Sequence, residues 1–338
     1  MIGQENRQVE RKVIAILKAL SDSTEPLGGR VIARRLGEFG IDLSERTVRY
    51  HLKLMDEQGF TRSIGRRDGR AITQKGIEEM ESALVSDRVG SIADRIEQLV
   101  YQTSLDLEKR VGKVPINISL FPKKEFTYAL EKMKGAFEAS LSVSDLVAVA
   151  QEGEMLGGMI IPQGKVGLAT VCSIVIGGVL LKAGVPLDSK FGGILQLRGN
   201  KALRFTELIE YSASSLDPAE IFVASKMTTV SEAASRGEGK ILASLSETPA
   251  VCKQILDVLV EKLNGAGIGS PAVIGGGSET VCEVPVRPHR IGVVIWSGLN
   301  PAAAAEEAGI TVTNHAFSGV IDYRSLKNFW EIVKGFKG

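Results

Sequence analysis

The sequence of 338 residues predicts an N-terminal winged helix-turn-helix domain followed by an α/β domain with an internal duplication, folded as two similar lobes. Three observations carry this. Leu43 to Gly69 reads as a basic amphipathic helix running into an arginine-tipped hairpin, the chain beyond residue 112 matches itself at a shift of 125 positions, and 25 of the 37 glycines fall in residues 151–338. The expected boundaries are 1–85 for the winged helix, 86–111 for a connecting helix and 112–338 for the second domain, with repeats 112–236 and 237–338.

Arg7 to Leu20 places Val9, Val13, Ile14, Ile16, Leu17 and Leu20 at helical spacing. Ser21 to Pro26 is a turn-rich connector, and Gly28 to Phe39 repeats the pattern with Val31, Ile32 and Leu36. In the next helix Leu43, Val48, Leu52 and Met55 form an apolar stripe, with Ser44 as N-cap and Gly59 as the stop. The other stripe holds Ser44, Arg46, Thr47, Arg49, Tyr50, His51 and Lys53, which offer hydrogen-bond donors and an aromatic ring to a major groove. Phe60 to Ile64 and Arg70 to Thr73 are short strands around a tight turn, so Arg66, Arg67 and Arg70 arm a wing suited to phosphates. A closing helix opens at Thr73 and runs to about Leu84.

Charge follows the same division. Residues 1–76 hold 15 Lys and Arg against 10 Asp and Glu, while the remaining 262 hold 26 against 30, so only the front is dressed for a polyanion. With 44% hydrophobic residues the chain has apolar material for substantial cores. The three cysteines, Cys172, Cys252 and Cys282, lack metal-ligand spacing, which argues against a metal site and against a disulfide scaffold and fits a reducing cytoplasm. No apolar run reaches 18 residues and no secretory leader opens the sequence, so neither a membrane nor export is expected.

From Ile92 to Val111, Ile92, Ile96, Leu99, Thr103 and Leu107 recur at spacings of three to four, the mark of a connecting helix whose seam faces either a twin or its own domain. The shift of 125 then superposes Gly112 on Gly237, Ile116 on Ile241, Ser119 and Leu120 on Ser244 and Leu245, and Gly167 on Gly292. Each copy reads strand, helix, Gly-rich hairpin, strand, helix, strand; in the first these are Ile116 to Leu120, Lys124 to Phe137, Met155 to Ile161, Gly167 to Val171, Ile174 to Lys182 and Gly192 to Leu197.

No glycine cluster matches a nucleotide-binding pattern. The turns at Thr170, Cys172 and Ser173 and at Ser297 each follow a strand and precede a helix, where free amides and the helix dipole favour an anion. Lys190, His315 and Arg287 lie near these turns in the sequence and supply positive charge. The ligand expected is a small carboxylate held as the lobes close on it, with no cofactor.

The segments RTVRYHL, LMDEQGFT and GRRDGR, joined to GGMIIPQGKVGLATVCSIVIGGVLLKAGVP, FGGILQ and IGVVIWSGLNPAAAAEEAGI, resemble the NrpR family of nitrogen-regulatory repressors, known from methanogenic archaea. The resemblance covers nearly the whole chain. It implies a homodimeric, cytoplasmic transcriptional repressor of nitrogen-assimilation genes, bound to operator DNA and released by 2-oxoglutarate, with residues 112–338 as the effector-sensing and dimerisation part. Some members carry two effector domains; this chain has room for one, which leaves open a second regulator protein as partner.

Two rival readings remain. Cys172 could be a nucleophile with His315 or His289 as its base, making an enzyme fused to a DNA-binding module. The chain could also assemble other proteins on DNA without sensing anything.

Overall fold

The computed structural model describes residues 2–21, 23, 26–38, 40–64, 69–81, 90–269 and 273–336, and the chain forms two compact units, residues 1–88 and 89–338.

The first unit contains α1 (Ile2–Ser21), α2 (Gly29–Glu38), α3 (Glu45–Gln58), the strands β1 (Thr61–Ser63) and β2 (Arg70–Ile72), and α4 (Gln74–Glu81). Ile16, Leu17, Ile32, Val48, Leu52 and Met55 are fully buried in one apolar cluster, as the helical spacing requires. Ser44 Oγ accepts the Thr47 N–H at 3.1 Å to open α3, and Gly59, at φ 78°, takes the left-handed conformation that ends it. β1 and β2 pair antiparallel, and Leu27 pairs with Arg70 beside them. This is a winged helix-turn-helix. The turn 65–68, with Arg66 and Arg67, and residues 82–84 of the expected closing helix lie outside the described residues.

The second unit contains α5 (Ser91–Gln102), which ends nine residues before the expected 111, while residues 86–89 of the expected connecting helix lie outside the described residues. The Thr103 hydroxyl donates back to the Leu99 carbonyl at 2.7 Å, and the following turn is closed by the Asp106 N–H on the Val111 carbonyl at 2.8 Å. Ile96, Leu99 and Thr103 are buried within this unit, and Thr103 sits where a side chain at Gly178 would have to go, so the apolar seam is spent on the domain itself.

Beyond α5 come β3 (Lys113–Pro122), α6 (Phe126–Glu138), β4 (Leu146–Ala150), a small hairpin of β5 (Met155–Leu156) and β6 (Met159–Ile160), β7 (Lys165–Val171), α7 (Ile174–Lys182), β8 (Asp188–Arg198) and β9 (Lys201–Glu210). The helices α8 (Pro218–Ala224) and α9 (Val230–Arg236) lead to β10 (Gly239–Pro249), α10 (Lys253–Gly265), β11 (Val273–Gly277), β12 (Arg290–Trp296), α11 (Asn300–Glu307), β13 (Thr313–Asp322), β14 (Lys327–Asn328) and α12 (Phe329–Gly335). Apart from the β5–β6 hairpin, which only the first series has among the described residues, strand, helix, strand, strand, helix, strand occurs twice, as β3, α6, β4, β7, α7, β8 and as β10, α10, β11, β12, α11, β13.

Every strand pairing described within these sheets is antiparallel, in a mixed α and β fold. The sheets run β13-β3-β7-β4-β14 and β11-β12-β10-β8-β9, which corrects the expected lobes, because each sheet takes two strands from the other half: β8 pairs with β10 and carries β9 beside it, while β13 pairs with β3 and β14 with β4. The halves are interlocked, and lobes made from 112–236 and 237–338 as contiguous pieces do not form. The cores reflect this, because one apolar cluster joins Ile116 and Ile118 of β3 to Ile291, Val293 and Ile295 of β12 through α7 and Leu256 of α10.

Candidate nucleic-acid face and regulatory cleft

On α3 the apolar stripe is buried and the opposite face is open. Arg46, Arg49, Tyr50 and Lys53 are exposed, Tyr50 to 62%, so both cationic and aromatic groups stand in solvent where a groove could take them. Arg49 pairs with Glu45 at 2.5 Å one turn earlier, an exposed pair that a phosphate or base edge can displace at small cost. Ser44 and Thr47 join hydroxyls at 2.8 Å at the head of the helix, where the dipole favours a phosphate. Arg30 and Arg34 of α2 are also exposed, cations that the sequence reading passed over.

Two residues expected on this face are elsewhere. His51 is 5% exposed, because 48, 51, 52 and 55 form one i, i+3, i+4, i+7 stripe and His51 belongs to it. Burial, and secondarily Lys12, hold its imidazole below the ordinary pKa, and its Nδ1 has no hydrogen-bond partner. Arg70 donates to Asp56 at 2.7 Å, while the Thr61 hydroxyl donates to the other oxygen of that carboxylate at 2.6 Å. Arg70 therefore fastens the wing to α3.

In the second unit the two strand-to-helix turns meet. Cys172 and Ser173, after β7, and Ser297, after β12, line one cleft with Asn117 of β3, Gly192 and Gly193 of β8, Tyr211 and Asp217. The close approach requires glycine at 298, where a Cβ would stand 2.2 Å from the Val171 carbonyl oxygen and 2.8 Å from Asn117 Nδ2. The enclosed space is about 20 Å³, enough for one water.

No lysine, arginine or histidine lines this cleft. Lys190 and Arg287 both contact Asp188, at 2.9 and 2.6 Å, and Arg287 also reaches the buried Glu247 at 2.5 Å. His315 lies in β13 opposite Ile118, its pKa lowered by burial. Thr170 sits in β7 beside Asn117, 1% exposed, with its hydroxyl unpartnered. The structure thus gathers Cys172, Ser173 and Ser297 and leaves Thr170, Lys190, Arg287 and His315 outside the lining.

What the cleft holds instead is acid. Asp217 caps α8, accepting the Glu220 N–H at 3.0 Å, and its carboxyl is pushed up to about 7 by burial and by the neighbouring Glu220. Glu220, raised likewise by burial, accepts the Ala316 N–H at 2.5 Å. Asp217-Pro218 with Glu220 is a helix-start signature in the sequence, yet nothing local marks it as buried. Cys172 is 2% exposed, and burial pushes its thiol up to about 12, the opposite of an activated nucleophile; neither His315 nor His289 lines the cleft with it. Among the described residues there is no cluster of His, Cys, Asp or Glu fit for a metal ion, and no helix long and apolar enough to cross a membrane.

Comparison with known proteins agrees with this division. Residues 14–80 match the model of the ribonuclease R winged-helix domain, and residues 89–328 match the model of NrpR regulatory domains NRD1 and 2. The chain is 38% identical over 320 residues to the global nitrogen regulator NrpRI of Methanosarcina mazei, covering 95% of this chain and 98% of that one. It is 31% identical to the global nitrogen regulator NrpR of Methanococcus maripaludis, covering 96% of this chain but 56% of that longer one. A crystal structure of a nitrogen repressor-like protein from Methanococcus jannaschii matches at TM-score 0.59 and 25% identity, over 70% of this chain and 97% of that one. These relatives are named as regulators and not as enzymes. By the match of its second unit and by its identity to these regulators, the chain belongs to the NrpR family.

Proposed function

We propose that the protein is a DNA-binding repressor of nitrogen-assimilation genes that works as a homodimer and lets go of its operator when a small dicarboxylate such as 2-oxoglutarate occupies the cleft. The observation that carries the reading is the joining of an open cationic helix face in a winged helix to a regulatory domain of this family. Arg46, Arg49, Tyr50 and Lys53 read or grip the duplex, Ser44 and Thr47 hold a phosphate, and Arg66 and Arg67 belong to the wing. A single helix makes few base contacts, so a two-fold pair supplies the discrimination an operator needs. A second regulator protein as partner belongs to the same reading.

The two halves of the second unit are, in this reading, an internal duplication, supported by the repeated element order and by the matching places of β8 beside β10 and β13 beside β3. The ligand lies where their turns meet. Its carboxylates take amide and hydroxyl donors from Ser173 and Ser297, and a protonated Asp217 can donate as well, since its carboxyl titrates near neutrality. With only about 20 Å³ enclosed, the cleft has to widen for a dicarboxylate, so ligand opens it and does not close it. A ligand that prefers the widened form shifts the protein toward it, and only that preference can alter DNA affinity.

The test is calorimetry with 2-oxoglutarate on the full chain, paired with affinity for a DNA duplex selected from a random pool. Ser297→Ala is expected to weaken the acid roughly tenfold, the size of one hydrogen bond to a charged group, and Lys190→Ala to leave it unchanged. Absence of binding heat with 2-oxoglutarate and related small acids would defeat the sensing part; absence of DNA binding would defeat the rest.

A further inference from the structure

The helix that follows the winged-helix unit in the chain is built onto the wall of the cleft. Ile96 and Leu99 of α5 share an apolar cluster with Cys172, Tyr211 and Phe317, all three of which line the cleft. The Gly90 N–H, just before α5, donates to the Ser214 carbonyl at 3.2 Å, tying the start of the helix to the segment between Tyr211 and Asp217.

Arg95 adds a polar link. Its Nε donates to the Phe317 carbonyl at 2.9 Å and its Nη2 to the Ser318 carbonyl at 3.1 Å. Those carbonyls belong to a bulge in β13, where the register against β3 shifts between His315 and Gly319 and where Phe317 stands at φ 49°. From the other side, Glu220 accepts the Ala316 N–H and Asn117 accepts the Phe317 N–H at 3.2 Å. Asn117 is itself a lining residue, and Glu220 stands one turn from Asp217. The bulge is therefore fastened to the cleft by its N–H groups and to α5 by its carbonyls. A side chain with one flexible donor could not hold two successive carbonyls in this way, whereas the guanidinium fork does.

We propose that Arg95 is the positioning residue that couples the cleft to α5: a ligand that widens the cleft moves Phe317, and Arg95 carries that displacement into the helix that follows the DNA-binding unit in the chain. This rests on the regulatory reading given above. Coupling needs an element with two discrete arrangements, and a bulge that holds a non-glycine residue in the left-handed region only while both sets of bonds persist supplies one.

The experiment compares the full-length protein with Arg95→Ala and Arg95→Lys, measuring 2-oxoglutarate binding by calorimetry and the affinity for a selected DNA duplex with and without the acid. In the unaltered protein saturating 2-oxoglutarate is expected to weaken DNA binding by about tenfold or more. In Arg95→Ala that ratio is expected to fall toward one, while the dissociation constant for the acid and the DNA affinity in its absence stay within about threefold of the unaltered values. Arg95→Lys is expected to lie between. A full response retained in Arg95→Ala overturns the proposal. So does a joint loss of acid binding and thermal stability in both variants, since that marks Arg95 as a structural tie alone. If the unaltered protein binds DNA but shows no response to the acid, the sensing reading itself has failed, and the variants are not needed to see it.

Discussion

The face of α3 and the cleft of the second unit are opposite electrostatic settings. On α3, Arg46, Arg49 and Lys53 stand in water on a preformed helix, where long side chains lose little by being charged and a polyanion can meet them at the surface. Among the described residues the cleft has no cation in its lining; it holds the buried carboxyl of Asp217, with the half-buried Glu220 one turn away. On the proposed reading, charge on α3 sets affinity and salt dependence for DNA, whereas in the cleft protonation and shape decide, because a buried carboxyl that titrates near 7 can be an acceptor or a donor according to its proton.

The comparison breaks first at the level of folding. Leu52→Ala removes a fully buried side chain of the winged helix and is expected to cost about 4 kcal/mol there, abolishing DNA binding, while calorimetry still finds an intact second unit. A single melting step lowered for the whole chain would show that the units do not fold independently.

Asp217 gives the next largest effect. Its pKa in the folded chain, about 7, lies above the unfolded value of 3.8, so its contribution is fully present below pH 4 and is lost as pH rises through 7. Between pH 5 and pH 8 this amounts to about 3 kcal/mol of lost stability, using 1.36 kcal/mol per unit of pKa. Asp217→Asn, which keeps an acceptor for the Glu220 N–H, is expected to flatten that part of the stability profile in denaturant titrations. An unaltered profile would place the titration elsewhere. If a dianion sits in the cleft, its affinity in the unaltered protein should also rise as pH falls through 7, and the Asn variant should remove that slope.

On the DNA side, Arg46→Ala or Lys53→Ala is expected to cost about 2 kcal/mol of affinity. A residue that grips phosphate lowers the salt slope by about one and weakens all sequences alike; a residue that reads a base leaves the slope and relaxes sequence preference. Filter-binding series at several salt concentrations separate the two. The smallest effect belongs to Arg70→Met, which breaks the partly exposed pair with Asp56 and should cost about 0.5 to 1 kcal/mol of winged-helix stability, with no change in the salt slope. A fall in the slope would return Arg70 to the DNA-contacting set.

Much of the first unit was readable because its signals are local. Helical spacing buried Val48, Leu52 and Met55, and Ser44 and Gly59 marked the ends of α3 through bonds to residues three or four away. Even the misplacement of His51 was avoidable, since its interval from Val48 and Met55 is the helical one. In the second unit the same local logic found Ile174–Lys182 and both strand-to-helix turns, whose Cys172, Ser173 and Ser297 line one cleft.

The sequence by itself therefore determined a winged helix with a basic face, a glycine-rich domain of repeated pattern, and the turns where that domain could take a ligand. Tertiary structure alone decided that the halves exchange β8 and β13, that Lys190 and Arg287 are spent on Asp188 and Glu247, that Asp217 is buried, and that α5 lies against the cleft wall. Periodicity and capping act within a few residues of chain, whereas strand partners and the burial of a carboxyl are set by groups far along the chain, as Asn117 and Phe317 are.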